Sequence, residues 1–313
     1  MYILIIGCGN IGERHLQSVL KINSAKIFVI ENNLVKFKEL KKKYTSEKLK
    51  CFHSIKELYK LNINFNFAII ATNSYGRFNI LKNAINLLKI KNIILEKVVF
   101  KNKKEYLKIL NILHDLKIKI FVNLPIRTIN FFKKIRLKKI NNFEMKVDGV
   151  NWGLFSNSIH FLDLFFFLTK KIPYFNDENC VKKIFQSKRF GYHEGYGEIL
   201  FETKCKKNLS LKCIRDKKKI YKLSINLKIN KSNYKFYTNN GYDYFDFYKK
   251  NKLFTLPFQS NLTHLQIKSI MNKQYNILPN LKENYLLQKQ IFDFLKKFKE
   301  NLKNKDIKKI IIT

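Results

Sequence analysis

Tyr2-Ile3-Leu4-Ile5-Ile6-Gly7-Cys8-Gly9-Asn10-Ile11-Gly12 is the stretch that decides the fold. Tyr2–Ile6 reads as a buried strand, and the amphipathic segment Ile11–Lys21 reads as a helix. Three glycines join them at Gly-x-Gly-x-x-Gly spacing. That spacing alone is weak, but between a strand and a helix each glycine has a task. Gly7 permits the tight turn, Gly9 lets the backbone approach a pyrophosphate, and Gly12 lets helix and strand pack closely. The helix N-terminus, with Asn10 and Ile11 in its first turn, adds N–H donors and partial positive charge for the phosphates. The plainer reading is a tight turn that binds nothing. Three correctly spaced glycines among only 10 in the chain count against it.

Outward from this loop, residues 1–122 alternate apolar runs with amphipathic segments. Lys26–Glu31, Phe67–Ala71, Ile93–Leu95 and Ile118–Asn123 read as strands; Leu34–Lys43, Gly76–Leu88 and Lys103–Leu116 read as helices. This is the βαβ pattern of a doubly wound parallel sheet of Rossmann type. From Asn123 the texture changes. β-prone stretches such as Gly197–Glu202 and Lys222–Leu227 fill residues 128–150 and 183–255, with a turn signal at Asn239-Asn240-Gly241. A helix Ser158–Thr169, N-capped by Ser158, interrupts them. A long helix from Leu281 to Leu302 and an apolar strand Ile307–Ile312 follow. The fold class is therefore α/β followed by α+β. Residues 1–122 form the dinucleotide-binding domain, and 123–313 a substrate and dimerisation domain on a mostly antiparallel open sheet. The C-terminal helix is expected to pack back on the first domain.

The composition sets limits. The chain has 313 residues, 46% of them hydrophobic, which excludes a disordered polycation despite a net charge of +39. That charge invites a nucleic-acid reading. It comes, however, from 56 Lys and only 6 Arg, beside 36 Asn and 4 Ala. AT-rich codons would produce this skew whatever the protein does, and nucleic-acid sites favour the arginine fork. No nucleic-acid partner is expected. Five widely spaced cysteines without a Cys-x-x-Cys pair argue against zinc and a disulfide framework, so no metal is expected. The N-terminal apolar run is too short for a signal peptide, and the run Phe161–Leu168 is too short to span a bilayer. A cytoplasmic protein without a membrane partner is expected.

Glu31 closes the second strand, 19 residues after Gly12. There an acidic side chain bonds the adenosine ribose hydroxyls and repels a 2′-phosphate. No arginine follows it, only Asn32 and Asn33. The cofactor reading is NAD, with NADP second; a solvated strand-end carboxylate is the bland alternative.

The continuation Glu13-Arg14-His15 resembles that of the Gfo/Idh/MocA oxidoreductases, the glucose-fructose oxidoreductase and inositol dehydrogenase group. Three more stretches agree in order and spacing. Ala71-Thr72-Asn73-Ser74 is similar to the family's Ala-Thr-Pro stretch beside the nicotinamide, Glu96-Lys97-Val98 to its Glu-Lys-Pro motif, and His160-Phe161-Leu162-Asp163 to its His-x-x-Asp segment. Arg189-Phe190-Gly191-Tyr192 and Leu278-Pro279 are weaker likenesses. The resemblance spans essentially the whole chain. It implies cofactor contacts by Thr72, Asn73 and Glu96, and a homodimer or homotetramer formed through the second-domain sheet. It also implies a small sugar-like substrate.

Lys97 ends a buried strand at the C-terminal sheet edge, where open α/β sheets bind ligands. Its ammonium would polarise a substrate hydroxyl there, although in a lysine-rich chain solvation is the default. Val98 replaces the family's proline. A cis peptide costs ~3 kcal/mol without proline, so a different local backbone is expected. His160 is the candidate general base, suited by an ordinary pKa of about 6.5 to take a proton from an alcohol. Asp163, three residues on, would orient it; the alternative is a core histidine among phenylalanines. Many family members place an aspartate four residues before this histidine, where this chain has Ser156. Asn123, Arg127, Trp152 and Asn157 complete the candidate substrate residues, with Trp152 read equally as core.

The reading is an NAD-dependent dehydrogenase or reductase acting on the carbinol carbon of a sugar, cyclitol or nucleotide-sugar. Three rivals stay open on the sequence: a catalytically altered dinucleotide-binding protein of the same fold, suggested by Ser156; a basic nucleic-acid-binding protein; and a reductase acting on an imine or enone.

Overall fold

A computed structural model describes residues 1–176, 180–187, 189–216, 222–237, 247–249, 252–254, 258–301 and 310–312. The chain forms two compact units: residues 1–123 with 257–282, and residues 124–256 with 283–313.

In the first unit, β1 (Tyr2–Ile6), α1 (Asn10–Val19), β2 (Lys26–Ile30), α2 (Leu34–Lys43), β3 (Leu49–Phe52) and α3 (Ile55–Tyr59) make the first half of the sheet. The second half is β4 (Asn64–Ile70), α4 (Arg77–Leu87), β5 (Lys89–Leu95), α5 (Lys103–Ile112) and β6 (Lys119–Val122). The order is β3-β2-β1-β4-β5-β6, and every pairing is parallel. After the first residue, β1 and β2 are buried throughout, as strands covered by helices on both faces must be. Side-chain caps start three of the helices: Asn33 accepts from Lys36 N–H, Ser54 from Glu57 N–H and Asn102 from Glu105 N–H. The sheet order reverses between β1 and β4, so the glycine loop after β1 and the segment after β4 sit side by side at the switch point.

Residues 257–282, with α8 (Thr263–Met271), belong to this unit, and residues 283–301 of the C-terminal helix belong to the second. The cause is packing. Ile267 and Ile270 of α8 join Leu16 and Val19 of α1 in one buried cluster. Val122 N–H also donates to the Pro279 carbonyl at 2.9 Å.

The second unit opens with a 3-10 turn (Pro125–Thr128) and α6 (Asn130–Arg136), then β7 (Phe143–Val150), α7 (Leu154–Thr169), β8 (Tyr174–Phe175) and β9 (Cys180–Gln186). There follow β10 (His193–Glu202), β11 (Asn208–Ile214), β12 (Lys222–Ile229), β13 (Ser232–Tyr237), a small β14–β15 pair (Phe247–Lys249 with Lys252–Phe254) and α9 (Leu281–Asn301). The sheet order is β13-β12-β7-β11-β10-β8, with β9 also on β10. Among the described residues only β7–β11 is parallel; the other pairings are antiparallel. Alternation sends Met145, Val147, Ile199, Phe201, Leu209, Leu211, Ile225 and Leu227 to one buried face. The largely buried α7 packs across β10 and β11.

Helix α7 begins at Leu154, four residues before the expected cap, and Ser158 lies inside it, donating to the Leu154 carbonyl. The cap position is Gly153, at φ +76°. Glycine has no capping side chain, and Glu194 of β10 substitutes for one. Its carboxylate accepts from Phe155 N–H at 2.9 Å and Ser156 N–H at 3.0 Å. Gly195 permits this approach, since a Cβ there would stand 2.3 Å from the Phe155 ring. The Asn239-Asn240-Gly241 turn and residues 307–309 lie outside the described residues. Ile311 bonds to the start of β10, where His193 N–H donates to its carbonyl at 2.7 Å.

Candidate active site

In the first unit the glycine loop has the shape a pyrophosphate needs. Gly7 turns at φ +83°, and a Cβ there would meet Thr72 Cγ2 at 2.7 Å. A Cβ on Gly12 would stand 2.0 Å from the Gly7 carbonyl oxygen, whereas one on Gly9 would meet nothing within 4 Å. The loop is thus closed against the sheet at Gly7 and Gly12 and open at Gly9. Asn10 and Ile11 begin α1 directly after it. Glu31 is 7% exposed. Its carboxylate accepts from Cys8 N–H at 2.7 Å and Asn33 N–H at 2.9 Å, which ties the end of β2 to the loop. Burial, reinforced by Glu13 and Glu31, pushes the Cys8 thiol up to about 12, so it is inert as a nucleophile. The buried Thr72 Oγ1 has no partner among the described residues. A cradle open at Gly9, an N-terminal helix turn beyond it and an acid at the end of β2 fit a dinucleotide. Asn73 is exposed, and its Oδ1 accepts from Gly76 N–H at 3.2 Å.

Glu96, expected to contact the cofactor, lies in a buried hydrogen-bond network. It is 8% exposed, and Oε1 accepts from His15 Nε2 at 2.9 Å and Asn123 Nδ2 at 2.5 Å. Burial alone would raise its carboxyl. The hydrogen bonds and charge of His15, with Asn123 and Arg77, outweigh that and hold it below the usual range. His15 Nδ1 in turn meets Thr263 Oγ1 at 2.8 Å. Asn123 is also engaged on both sides of its amide, donating to Gln259 and accepting from Gln266, each at 2.9 Å. Asn123, expected to contact substrate, thus stands in a buried network that joins α1, β5 and α8.

Lys97 is half-buried in the bend after β5. The backbone expected to differ at Val98 instead has a cis Lys97–Val98 peptide. The carbonyls of Glu96 and Val98, on either side of Lys97, are bonded by the Arg77 guanidinium.

In the second unit α7 carries His160, 6% exposed, and Asp163, fully buried. Asp163 pairs with Arg127 rather than with the imidazole: Arg127 Nε donates to Oδ2 at 2.8 Å and Nη2 to Oδ1. Glu283 lies 3.7 Å from Arg127 Nη1. Burial pushes the Asp163 carboxyl up to about 6, against the pull of Arg127. Arg127, expected to contact substrate, is 3% exposed and spends its fork on Asp163. Trp152 is core: it is 1% exposed, with Nε1 donating to the Lys212 carbonyl at 2.8 Å and its ring edge-to-face with Phe161. Asn157 donates to the Trp152 carbonyl at 2.5 Å, holding the turn before α7. Among the described residues no group of three His, Cys, Asp or Glu side chains could hold a metal ion. No helix among them is long and apolar enough to cross a membrane.

Sequence reading missed Arg77, Glu194 and the His15–Thr263 link. For His15 and Arg77 a signal existed. His15 ends the Glu13-Arg14-His15 continuation of the glycine loop, and Arg77 is one of six arginines in the chain.

Comparison with known proteins agrees with this geometry. Residues 1–124 match the GFO_IDH_MocA family, described as an oxidoreductase family with an NAD-binding Rossmann fold. No protein of curated function matches the sequence. Among solved structures, the chain is similar to scyllo-inositol dehydrogenase from Lactobacillus casei with bound NAD(H) and scyllo-inositol. The TM-score is 0.68 at 14% identity, covering 96% of this chain and 97% of that one. It is also similar to UDP-N-acetylglucosamine 3-dehydrogenase from Acidithiobacillus ferrooxidans (TM-score 0.68, 12% identity, 94% and 96% covered). A dehydrogenase from Clostridium difficile matches at TM-score 0.66 and 14% identity, over 95% and 99% of the two chains. At such identities these likenesses speak for the fold, and they extend it over both units. The first domain is thus matched by sequence to the NAD-binding Rossmann domain of the Gfo/Idh/MocA oxidoreductases, and the whole chain shares its fold with solved dehydrogenases.

Proposed function

We propose that this protein is an NAD-dependent dehydrogenase or reductase of the carbinol carbon in a sugar, cyclitol or nucleotide-sugar. The observation that carries the reading is the loop open at Gly9 with Glu31 bonded to Cys8 N–H at its rim. In that place a carboxylate favours ribose hydroxyls and disfavours a 2′-phosphate, which supports NAD over NADP. NAD, when bound, supplies the acceptor or donor of the hydride. The remaining work falls to the chain. Gly9 and the first turn of α1 would hold the pyrophosphate, and Thr72 Oγ1 would bond the carboxamide end. The Lys97 ammonium would bond the substrate oxygen and stabilise charge developing on it. His160 would take the hydroxyl proton in oxidation and return it in reduction. The names of the neighbours, an inositol dehydrogenase and a nucleotide-sugar dehydrogenase, support the substrate class. A homodimer or homotetramer belongs to the same reading, and light scattering on the eluted protein measures it.

The test is absorbance of NADH on mixing the protein and NAD with a panel of cyclitols, hexoses and nucleotide-sugars. Turnover with at least one, lost in His160→Ala and Lys97→Ala, is the expected outcome. Cofactor binding without turnover on any member would leave a dinucleotide-binding protein in place of an enzyme.

A further inference from the structure

The segments that follow β4 and β5 are held by one buried guanidinium. Arg77 opens α4 and is 2% exposed. Its Nη1 donates to the carbonyls of Glu96 and Val98 at 2.5 Å each and of Val99 at 3.1 Å. Its Nη2 donates to the carbonyl of Thr72. Four main-chain acceptors from two separate segments therefore converge on one planar group. A guanidinium presents its N–H bonds in a fixed fork, so it sets its acceptors relative to one another; a lysine ammonium, with rotating donors, does not. Glu96 and Val98 flank Lys97, so the backbone on both sides of that lysine is bound to the same atom. The other half of the fork holds the residue whose side-chain hydroxyl, Thr72 Oγ1, has no partner among the described residues.

A purely space-filling role would not call for this residue. Burying a full positive charge is costly against an apolar side chain of similar volume, unless its donors meet acceptors that need them. Here the acceptors are carbonyls of irregular backbone beyond the strand ends, with no ladder partner of their own. The same charge also helps to keep the Glu96 carboxyl ionised, alongside His15 and Asn123. Arg77 thus connects the strand-end backbone to the buried network behind it.

We propose that Arg77 is a positioning residue of the reaction, fixing the Thr72 segment and the Lys97 segment against each other so that the carboxamide end held by Thr72 and the substrate oxygen held by Lys97 keep a fixed relation. The catalytic consequence rests on the dehydrogenase reading above; the tether itself does not.

The experiment compares wild type, Arg77→Lys and Arg77→Ala as full chains. Hydrogen–deuterium exchange without cofactor reads the tether directly. In both variants, peptides covering residues 71–76 and 95–100 are expected to exchange about 10-fold faster, while peptides of β1 and β2 stay within about twofold of wild type. With NAD and the substrate found in the panel, kcat is expected to fall about 100-fold in Arg77→Lys, with substrate KM changed by no more than about threefold. Guanidinium chloride at about 20 mM should restore at least about 10-fold of the kcat lost in Arg77→Ala. If Arg77→Ala does not fold, Arg77→Lys carries the test alone. Exchange that rises in only one segment, or equally across the sheet, overturns the proposal, as does an Arg77→Lys protein with wild-type kcat. A wild-type protein that binds no NAD overturns the dehydrogenase reading instead, because the exchange result is obtained without cofactor.

Discussion

His15 Nε2 lies 2.9 Å from Glu96 Oε1, joining the helix of the glycine loop to the end of β5 in a position where the imidazole is wholly buried. Removing one partner of such a pair leaves the other desolvated and uncompensated. His15→Ala should therefore cost about 3–5 kcal/mol of unfolding free energy. His15→Leu combined with Glu96→Leu should cost much less than the single change, because no buried charge is stranded. Urea unfolding of the three proteins measures both. A single variant within about 0.5 kcal/mol of wild type would show that the pair adds nothing.

Helix α7 depends on a carboxylate from another strand. Glu194 accepts from Phe155 and Ser156 N–H, and Gly153 offers no side chain in its place. Glu194→Gln keeps one acceptor and loses the charge, and should cost about 1 kcal/mol, the usual worth of a cap. Gly195→Ala should cost more, about 2–3 kcal/mol, since its Cβ would press into the Phe155 ring at 2.3 Å. The order of the two melting temperatures is the check, with Gly195→Ala the lower.

The same pair of observations marks the limit of what the sequence shows. Strand β1, the glycine loop and Glu31 were legible because each is specified by neighbours within a few dozen residues. Strand β3 (Leu49–Phe52) leaves little trace in the sequence. It is short, half-exposed and carries Lys50, so its apolar signal is faint. Helix α7 starts four residues before Ser158 because its cap comes from Glu194, 38 positions away from Ser156. His15 reaches Thr263 across 248 positions, a separation that no local pattern in the sequence spans. Asn123 and Arg127 stood where a site begins, and their residue types suited a ligand. Only the structure reveals that Gln266 and Asp163 already occupy them.

Acid should expose a separate contribution from Glu13. Burial would raise its carboxyl, but hydrogen bonds from Lys43, Lys36 and Tyr44 prevail and lower it from 4.5 to about 2. A carboxylate with a depressed folded-state pKa adds stability that is present above its unfolded pKa. That stability drains away as pH falls through the folded value. The window here runs from pH 4.5 down to about 2. Glu13→Gln should be less stable than wild type at neutral pH, and the gap should close across this window. Unfolding at a series of pH values reads it, and a gap that stays constant into acid would exclude Glu13 as its source.

Cofactor choice should turn on Glu31. In Glu31→Ala the carboxylate that accepts from Cys8 and Asn33 N–H is gone. Ribose hydroxyls then lose a charged acceptor and a 2′-phosphate loses its opponent. The KM for NAD should rise about 10-fold, equivalent to about 1.4 kcal/mol, and the preference for NAD over NADP should shrink by at least as much. Gly12→Ala separates this effect from damage to the loop. A Cβ there would lie 2.0 Å from the Gly7 carbonyl oxygen, so the helix must move away from the turn and both cofactors must suffer alike. Kinetics with each cofactor on the two variants make the distinction: a ratio shifted by Glu31→Ala and preserved by Gly12→Ala identifies Glu31 as the discriminating group. A ratio unmoved in both would place the choice between NAD and NADP elsewhere on the α2 side of the loop, where Lys36 and Lys43 are already engaged by Glu13.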